Sequence, residues 1–227
     1  MEQNGFRPKR GTVAQILALR RIVEECQTKK MNLVAIFVDF RKAFDSVSRL
    51  CIPKILEAYN VPEELIKPIC SLYKDTTASV LTSDGPTEDF ETTSGVLQGD
   101  TLAPFLFILT LDWVLRSAIP NNSLGFLLQR RLSSRYPELR LPLLAYADDL
   151  VLLASTQENA QTLLNNLASK AAKVGLQINV GKTEVMTVPN DPSVTITCTD
   201  MDGTPVRLKN CTSFRYLGES SQIAPST

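Results

Sequence analysis

The spacing of apolar positions changes several times along the chain, and each change marks an element. Leu33-Val34-Ala35-Ile36-Phe37-Val38 is a continuous apolar run that stops abruptly at Asp39. Such a run reads as a strand covered on both faces. A second apolar stretch, Leu141 to Leu153, is interrupted by Asp148-Asp149, which reads as two buried strands meeting at a tight hairpin. Between and beyond them the period turns helical. Thr12 can cap a helix carrying Val13, Ile16, Leu17, Ile22 and Val23. Asp45 can cap one lined by Val47, Leu50, Cys51, Ile55 and Ala58, and another helix follows Pro62. An apolar helix runs from about Leu102 to Leu115. The clearest helix carries Ala160, Leu163, Leu164, Leu167, Ala171 and Val174, opened by a Ser155/Glu158 capping box and closed by Gly175. Thr77–Ser83 and Thr87–Thr93 flank Asp84-Gly85 as a hairpin, and Val194, Ile196 and Cys198 alternate ahead of a turn at Asp202-Gly203. The segment from Pro120 to Arg140 reads as an inserted surface loop or a short helical excursion.

Composition sets bounds on this pattern. A chain of 227 residues, 44% hydrophobic, can bury a substantial core. Equal numbers of basic and acidic residues, 24 each, mean that bulk charge gives no support for nucleic-acid binding, which would have to rest on local basic clusters. The densest cluster is Arg7, Lys9, Arg10, Arg20 and Arg21, either a solvated surface or a phosphate-binding one. Five dispersed cysteines and no histidine offer no zinc-type spacing and suggest reduced thiols in an intracellular compartment, nucleus or cytoplasm. The longest apolar run, Leu102 to Leu111, contains Pro104 and is shorter than the roughly 18 residues of a membrane span.

The carboxylates carry the chemistry. Asp39 ends one apolar strand and Asp148-Asp149 interrupts another, so all three can converge at one sheet edge if those strands are neighbours. Burying such groups together is costly unless a cation or several donors compensate them. Oxygen ligands suit magnesium, and a pair of ions about 4 Å apart serves phosphoryl transfer. Exposed turn aspartates are the plain alternative. In the same way, the two glycines of Ser94-Gly95-Val96-Leu97-Gln98-Gly99-Asp100 either admit a ligand close to the backbone or simply connect two elements.

These residues resemble a known family. Phe37-Val38-Asp39-Phe40-Arg41-Lys42-Ala43-Phe44-Asp45, Ser94 to Asp100 with Leu102-Ala103-Pro104, and Tyr146-Ala147-Asp148-Asp149 look like the successive palm motifs of reverse transcriptases. Asn4-Gly5-Phe6-Arg7-Pro8, Gly175-Leu176 through Asn179 to Lys182-Thr183, and Phe214-Arg215-Tyr216-Leu217-Gly218 are further matches. Together they are similar to the non-LTR (LINE-type) retrotransposon branch. The resemblance implies an α+β palm with a ferredoxin-like antiparallel sheet backed by helices. Residues 1–31 would form partial fingers and 32–227 mainly palm, with a fingers-like hairpin at about 77–93, a primer-grip-like hairpin at about 204–218, and the thumb absent.

The resemblance also assigns roles. Asp39, Asp148 and Asp149 would hold two Mg2+ ions, or Mn2+, and Lys182 would protonate the leaving pyrophosphate. Phe40, Arg41, Lys42, Ala43, Phe44, Gln98, Gly99 and Arg7 would meet the deoxynucleoside triphosphate, with Phe44 excluding a 2′-hydroxyl. Tyr146, Phe214, Tyr216, Leu217 and Gly218 would meet the RNA template and DNA primer. Core packing for Phe44 and an exposed strand-edge position for Lys182 are the alternatives from sequence. The implied activity is RNA-directed DNA synthesis. An RNA-dependent RNA polymerase and a catalytically inactive relic that binds nucleic acid or a partner are the rivals.

Overall fold

The computed structural model describes residues 4–7, 10–97, 99–131, 133–135, 137–217 and 222–223, the side chains of 215, 222 and 223 excepted. Its centre is a sheet of five strands: β1 (Leu33–Val38), β2 (Leu143–Tyr146), β3 (Asp149–Ala154), β4 (Glu184–Val188) and β5 (Lys209–Asn210). Their order across the sheet is β5-β4-β1-β3-β2. All neighbours are antiparallel except β4 and β5.

Among the described residues six α-helices accompany the sheet: α1 (Thr12–Lys29), α2 (Ala43–Ser46), α3 (Ile52–Ala58), α4 (Glu63–Leu72), α5 (Ala103–Ala118) and α6 (Gln157–Ala172). Every residue of β1 is buried, and successive side chains leave by opposite faces. Val34, Ile36 and Val38 join a core with Phe107 and Leu111 of α5 and Leu163, Leu164 and Leu167 of α6. Leu33, Ala35 and Phe37 join a second core with Ile16, Leu19, Ile22 and Val23 of α1. The unbroken apolar run of β1 follows from that double cover, with each fully buried aliphatic side chain contributing about 1.5–3 kcal/mol. The α+β class therefore holds, and α1 adds a helix on the second face of the sheet.

Local differences from the sequence reading have physical causes. The helix expected from Asp45 is broken: α2 ends at Ser46, a 3-10 turn spans Arg49–Cys51, and only then does α3 begin. Leu50, expected on its apolar side, is consequently 86% exposed. The cap of α6 is Thr156, whose side chain accepts from the Asn159 amide, one residue later than expected. Ser155 instead accepts from the Leu127 amide. That bond ties down Phe126–Gln129, a strand paired with Leu139–Leu141 inside the segment expected to be a loop or helix. The outer end of the 77–93 hairpin turns through Ser83-Asp84, because Thr82 pairs with Gly85. Gly175 does close the α6 region, with φ 85. Among the described residues no helix is long and apolar enough to cross a membrane.

One buried charge joins the helices. Asp112 of α5 is 2% exposed, accepts a 2.5 Å hydrogen bond from the Tyr59 hydroxyl and pairs at 2.8 Å with Arg116 one turn later. The Arg116 guanidinium also lies 5.7 Å from the centre of the Tyr59 ring. Burial and the Asp112 carboxylate push the Tyr59 phenol far up, so it remains a donor. Tyr59→Phe, which leaves that carboxylate one donor short, is expected to cost about 1–3 kcal/mol by urea unfolding, with no change in the slope of the transition.

Candidate active site

Strand register builds the site. Val38 pairs with Leu150, so Asp39, one residue beyond β1, stands across from Asp149 at the start of β3. Tyr146 pairs with Asp149, leaving Ala147-Asp148 as a two-residue turn between β2 and β3. Ala147 has φ 50, a left-handed conformation that costs an L-residue roughly 1–2 kcal/mol. The N-terminal segment supports this turn. Asn4 donates to the Ala145 carbonyl at 3.0 Å, and a Cβ added to Gly5 would fall 2.3 Å from the Ala147 amide nitrogen. Only glycine lets the backbones approach so closely, which accounts for that residue of the Asn4-Gly5-Phe6-Arg7 motif.

The segment after α6 is sewn to the end of β1. The Asn179 amide donates to the Asp39 carbonyl at 2.8 Å, and the Arg41 amide to the Gln177 carbonyl at 2.9 Å. The Asp39 amide donates to Oγ1 of the fully buried Thr183 at 3.3 Å. The motif from Gly175 to Thr183 thus holds Asp39 in place and brings Lys182 beside it.

A recess of about 230 Å³ lies at this sheet end, lined by Phe37, Val38, Asp39, Asp149, Leu150, Lys182, Phe214 and Tyr216. Phe214 stacks on Phe37 with ring centres 3.9 Å apart, which anchors the C-terminal segment against the sheet. Asp149 keeps contact with solvent, yet its packed surroundings first, and the Asp148 and Asp39 charges second, push its carboxyl up to about 6. Tyr216 is 3% exposed and its hydroxyl, buried without a hydrogen-bond partner among the described residues, borders the recess. Burial and the Asp149 charge keep that phenol protonated.

Of the three aspartates, Asp39 and Asp149 share the recess. Asp148 sits exposed on the turn and does not line it. Among the described residues no three His, Cys, Asp or Glu side chains form a ready-made metal cage. The donor set still suits a hard cation, since magnesium is commonly held by one or two carboxylates together with substrate phosphates and water. The like-charge repulsion that raises Asp149 is what such a cation relieves.

The other described residues of the predicted set do not line the recess. Phe44, on α2, is half-buried and stacks on Phe107 of α5 at 4.3 Å. Phe40 is buried and bridges to Ile178, and Ala43 is buried as the first residue of α2. Arg41 and Lys42 are exposed, with Arg41 Nη1 3.0 Å from the Met201 sulfur. Arg7 is half-buried two residues beyond Gly5. Gly99 has φ 94 with open space around it, so conformation rather than crowding calls for glycine there. Tyr146 is half-buried, and Leu217 packs at the margin of the second core. Gln98 and Gly218 lie outside the described residues.

The sequence marked Gly95 as a loop glycine and Gly175 as a helix stop without showing what approaches them, and it did not mark Arg49. A Cβ on Gly95 would fall 2.6 Å from the Asp45 Cα, and one on Gly175 2.3 Å from the Ser46 carbonyl oxygen. The two glycines therefore hold the α2 segment between them. The broken glycine-rich pattern was a signal for these contacts, whereas nothing marked Arg49.

The model of the family described as reverse transcriptase (RNA-dependent DNA polymerase) matches residues 1–220. The chain belongs to the reverse transcriptase family. Its relatives bear out the non-LTR resemblance. It is 27% identical over 222 residues to the retrovirus-related Pol polyprotein from type-2 retrotransposable element R2DM of Drosophila melanogaster, covering 95% of this chain and 20% of that protein. A Pol polyprotein from type-1 retrotransposable element R2 of Popillia japonica is 30% identical over 223 residues, 95% of this chain and 30% of that protein. The chain thus spans between a fifth and a third of these relatives. Among solved structures, telomerase from Candida albicans in complex with a TWJ fragment of telomeric RNA superposes with a TM-score of 0.58 at 16% identity, covering 96% of this chain and 35% of that one. At that identity the likeness shows the fold.

The raised Asp149 carboxyl gives a signed pH dependence. Between its ordinary 3.8 and about 6 the folded protein binds more protons than the unfolded chain, so stability falls as pH rises through that window. In metal-free protein, Asp149→Asn is expected to raise Tm by a few degrees above the window and to leave it unchanged below, as followed by circular dichroism melts across pH.

Proposed function

We propose that this chain is the polymerising core of an RNA-directed DNA polymerase of a non-LTR retrotransposon, joining a DNA primer 3′-hydroxyl to a deoxynucleotide on an RNA template. The observation that carries the reading is the pairing of Asp39 with Asp149 at adjacent strand ends, in one recess with Lys182 and Tyr216. Family membership and the R2 relatives support it, as does the RNA bound by the Candida albicans telomerase.

In this reading Asp39 and Asp149, with Asp148 at the turn, hold magnesium, and manganese suits the same oxygen donors. Two such ions would activate the primer hydroxyl and neutralise the pyrophosphate. The chain's own residues do the positioning, which supplies much of phosphoryl-transfer catalysis. The primer hydroxyl gives up its proton to solvent as its oxygen bonds the α-phosphorus and the bond to the bridging α–β oxygen breaks. Lys182, at the recess edge, delivers a proton to the departing pyrophosphate. Arg7, Arg41 and Lys42 receive the triphosphate, with each guanidinium able to grip two phosphate oxygens. Gln98 and Gly99 line the nucleotide pocket. Phe214 and Tyr216 hold the primer end, and the Tyr216 hydroxyl finds in it the hydrogen-bond partner that the described residues do not provide. Phe44, braced by Phe107, presents an edge to the sugar, where a 2′-hydroxyl is the only difference between the two nucleotide classes.

Primer extension on an RNA template with magnesium tests the reading. Extension that drops at least about a hundredfold in Asp39→Asn supports it, while equal products from both folded proteins would sink it. In active enzyme, Phe44→Val is expected to raise ribonucleotide incorporation relative to deoxynucleotide. An unchanged ratio assigns Phe44 to packing alone.

A further inference from the structure

Arg49 begins the 3-10 turn after α2, and its half-buried guanidinium is the meeting point of three segments. Nε donates to the Gly95 carbonyl at 2.9 Å. Nη1 donates to the Thr92 carbonyl at 2.5 Å, to Thr76 Oγ1 at 2.6 Å and to the Tyr73 carbonyl at 3.3 Å. Nη2 reaches Thr92 Oγ1 at 3.3 Å. The plane also lies over the Tyr73 ring, 5.4 Å from its centre. Among the described residues every acceptor is a neutral carbonyl or hydroxyl, so attraction to a carboxylate does not explain the position. What does explain it is the fork of five rigid donors, which can bind several oxygens in fixed directions, as the flexible lysine ammonium cannot.

The segments joined are those around the proposed nucleotide site. Thr76 and Thr92 flank the base of the 77–93 hairpin, with their hydroxyls 2.7 Å apart. Gly95 belongs to the loop leading to Gln98-Gly99. That loop is bound to the Phe44 segment by Val96 N to Phe44 O at 2.9 Å, Gly95 N to Val47 O at 2.8 Å and Ser94 Oγ to Asp45 O at 3.0 Å. Beneath Arg49, the Tyr73 hydroxyl faces the Leu97 backbone at a geometry short of a full hydrogen bond. Contact therefore runs without a gap from the hairpin through the guanidinium to Gly95 and, through Val96, to the Phe44 segment.

We propose that Arg49 is a positioning residue for nucleotide selection: it fixes the 77–93 hairpin against the Phe44 segment and the Gly95 loop, and so sets affinity for the incoming deoxynucleotide without touching it. The proposal rests on the polymerase reading of the site.

Two measurements on the full chain test it, using Arg49→Gln and Arg49→Lys. In primer extension, KM for deoxynucleotide is expected to rise about tenfold in Arg49→Gln, a change within the usual range of coupling between sites, with kcat within about twofold. Arg49→Lys, which keeps the charge and loses the fork, is expected to recover less than half of the loss. A fall in kcat at constant KM, or full rescue by lysine, would overturn the proposal. In hydrogen exchange, amides of residues 76–97 are expected to lose protection while those of β1, β3 and α6 keep theirs. A uniform loss would mean that Arg49 serves only global stability. If the unaltered chain extends no primer, the polymerase reading falls by itself, and the exchange pattern still decides whether Arg49 fixes the hairpin to the loop.

Discussion

Two like charges face each other where β1 meets β3, and much of the architecture serves to keep them there. Repulsion between Asp39 and Asp149 works against the pairing that creates it, and it adds to burial and to the Asp148 charge in raising the Asp149 carboxyl. The opposing force is apolar. β1 is buried on both faces, against α5 and α6 on one and α1 on the other, so the strand cannot shift without uncovering two cores. The charged pair sits at the sheet end, where water reaches it. The rigidity that holds it comes from the middle of the sheet, where water does not enter.

Second-layer contacts refine that placement, each using backbone that a single sequence does not reveal. Thr183 and Asn179 fix the main chain of Asp39, Gly5 braces the hairpin turn, and Phe214 on Phe37 brings Tyr216 to the recess. Arg49 likewise ties the base of the 77–93 hairpin to the Gly95 loop.

The central strands and α6 were legible because their apolar periods are long and match their burial. Asp39 and the Asp148-Asp149 pair stood out because charge inside an apolar run has no folding rationale. What could not be read was direction. The turn sends Asp148 outward while Asp149 turns into the recess, and only the register of β2 on β3 decides which. The strand Phe126–Gln129 was hidden because its anchor, Ser155, had a plausible local use as a helix cap and was taken by a distant amide instead. Arg49 gave no signal, since a lone arginine after a serine looks like solvated surface until its five acceptors are assembled around it. Gly95 and Gly175 showed that something special was present, without showing what approached them.

The contact between Gly5 and Ala147 also bears on how the molecule comes into being. It joins residues separated by most of the chain, and the β1–β3 pairing closes a loop nearly as long, so both are among the slow, non-local steps of folding. On the ribosome, Asp39 emerges long before its partner strand and waits in a chain that has no opposing carboxylate. The segment that secures its backbone, ending at Thr183, comes later still. The paired aspartates are thus assembled only after most of the chain has been made, and partial products of its synthesis carry the residues of the site without the site itself.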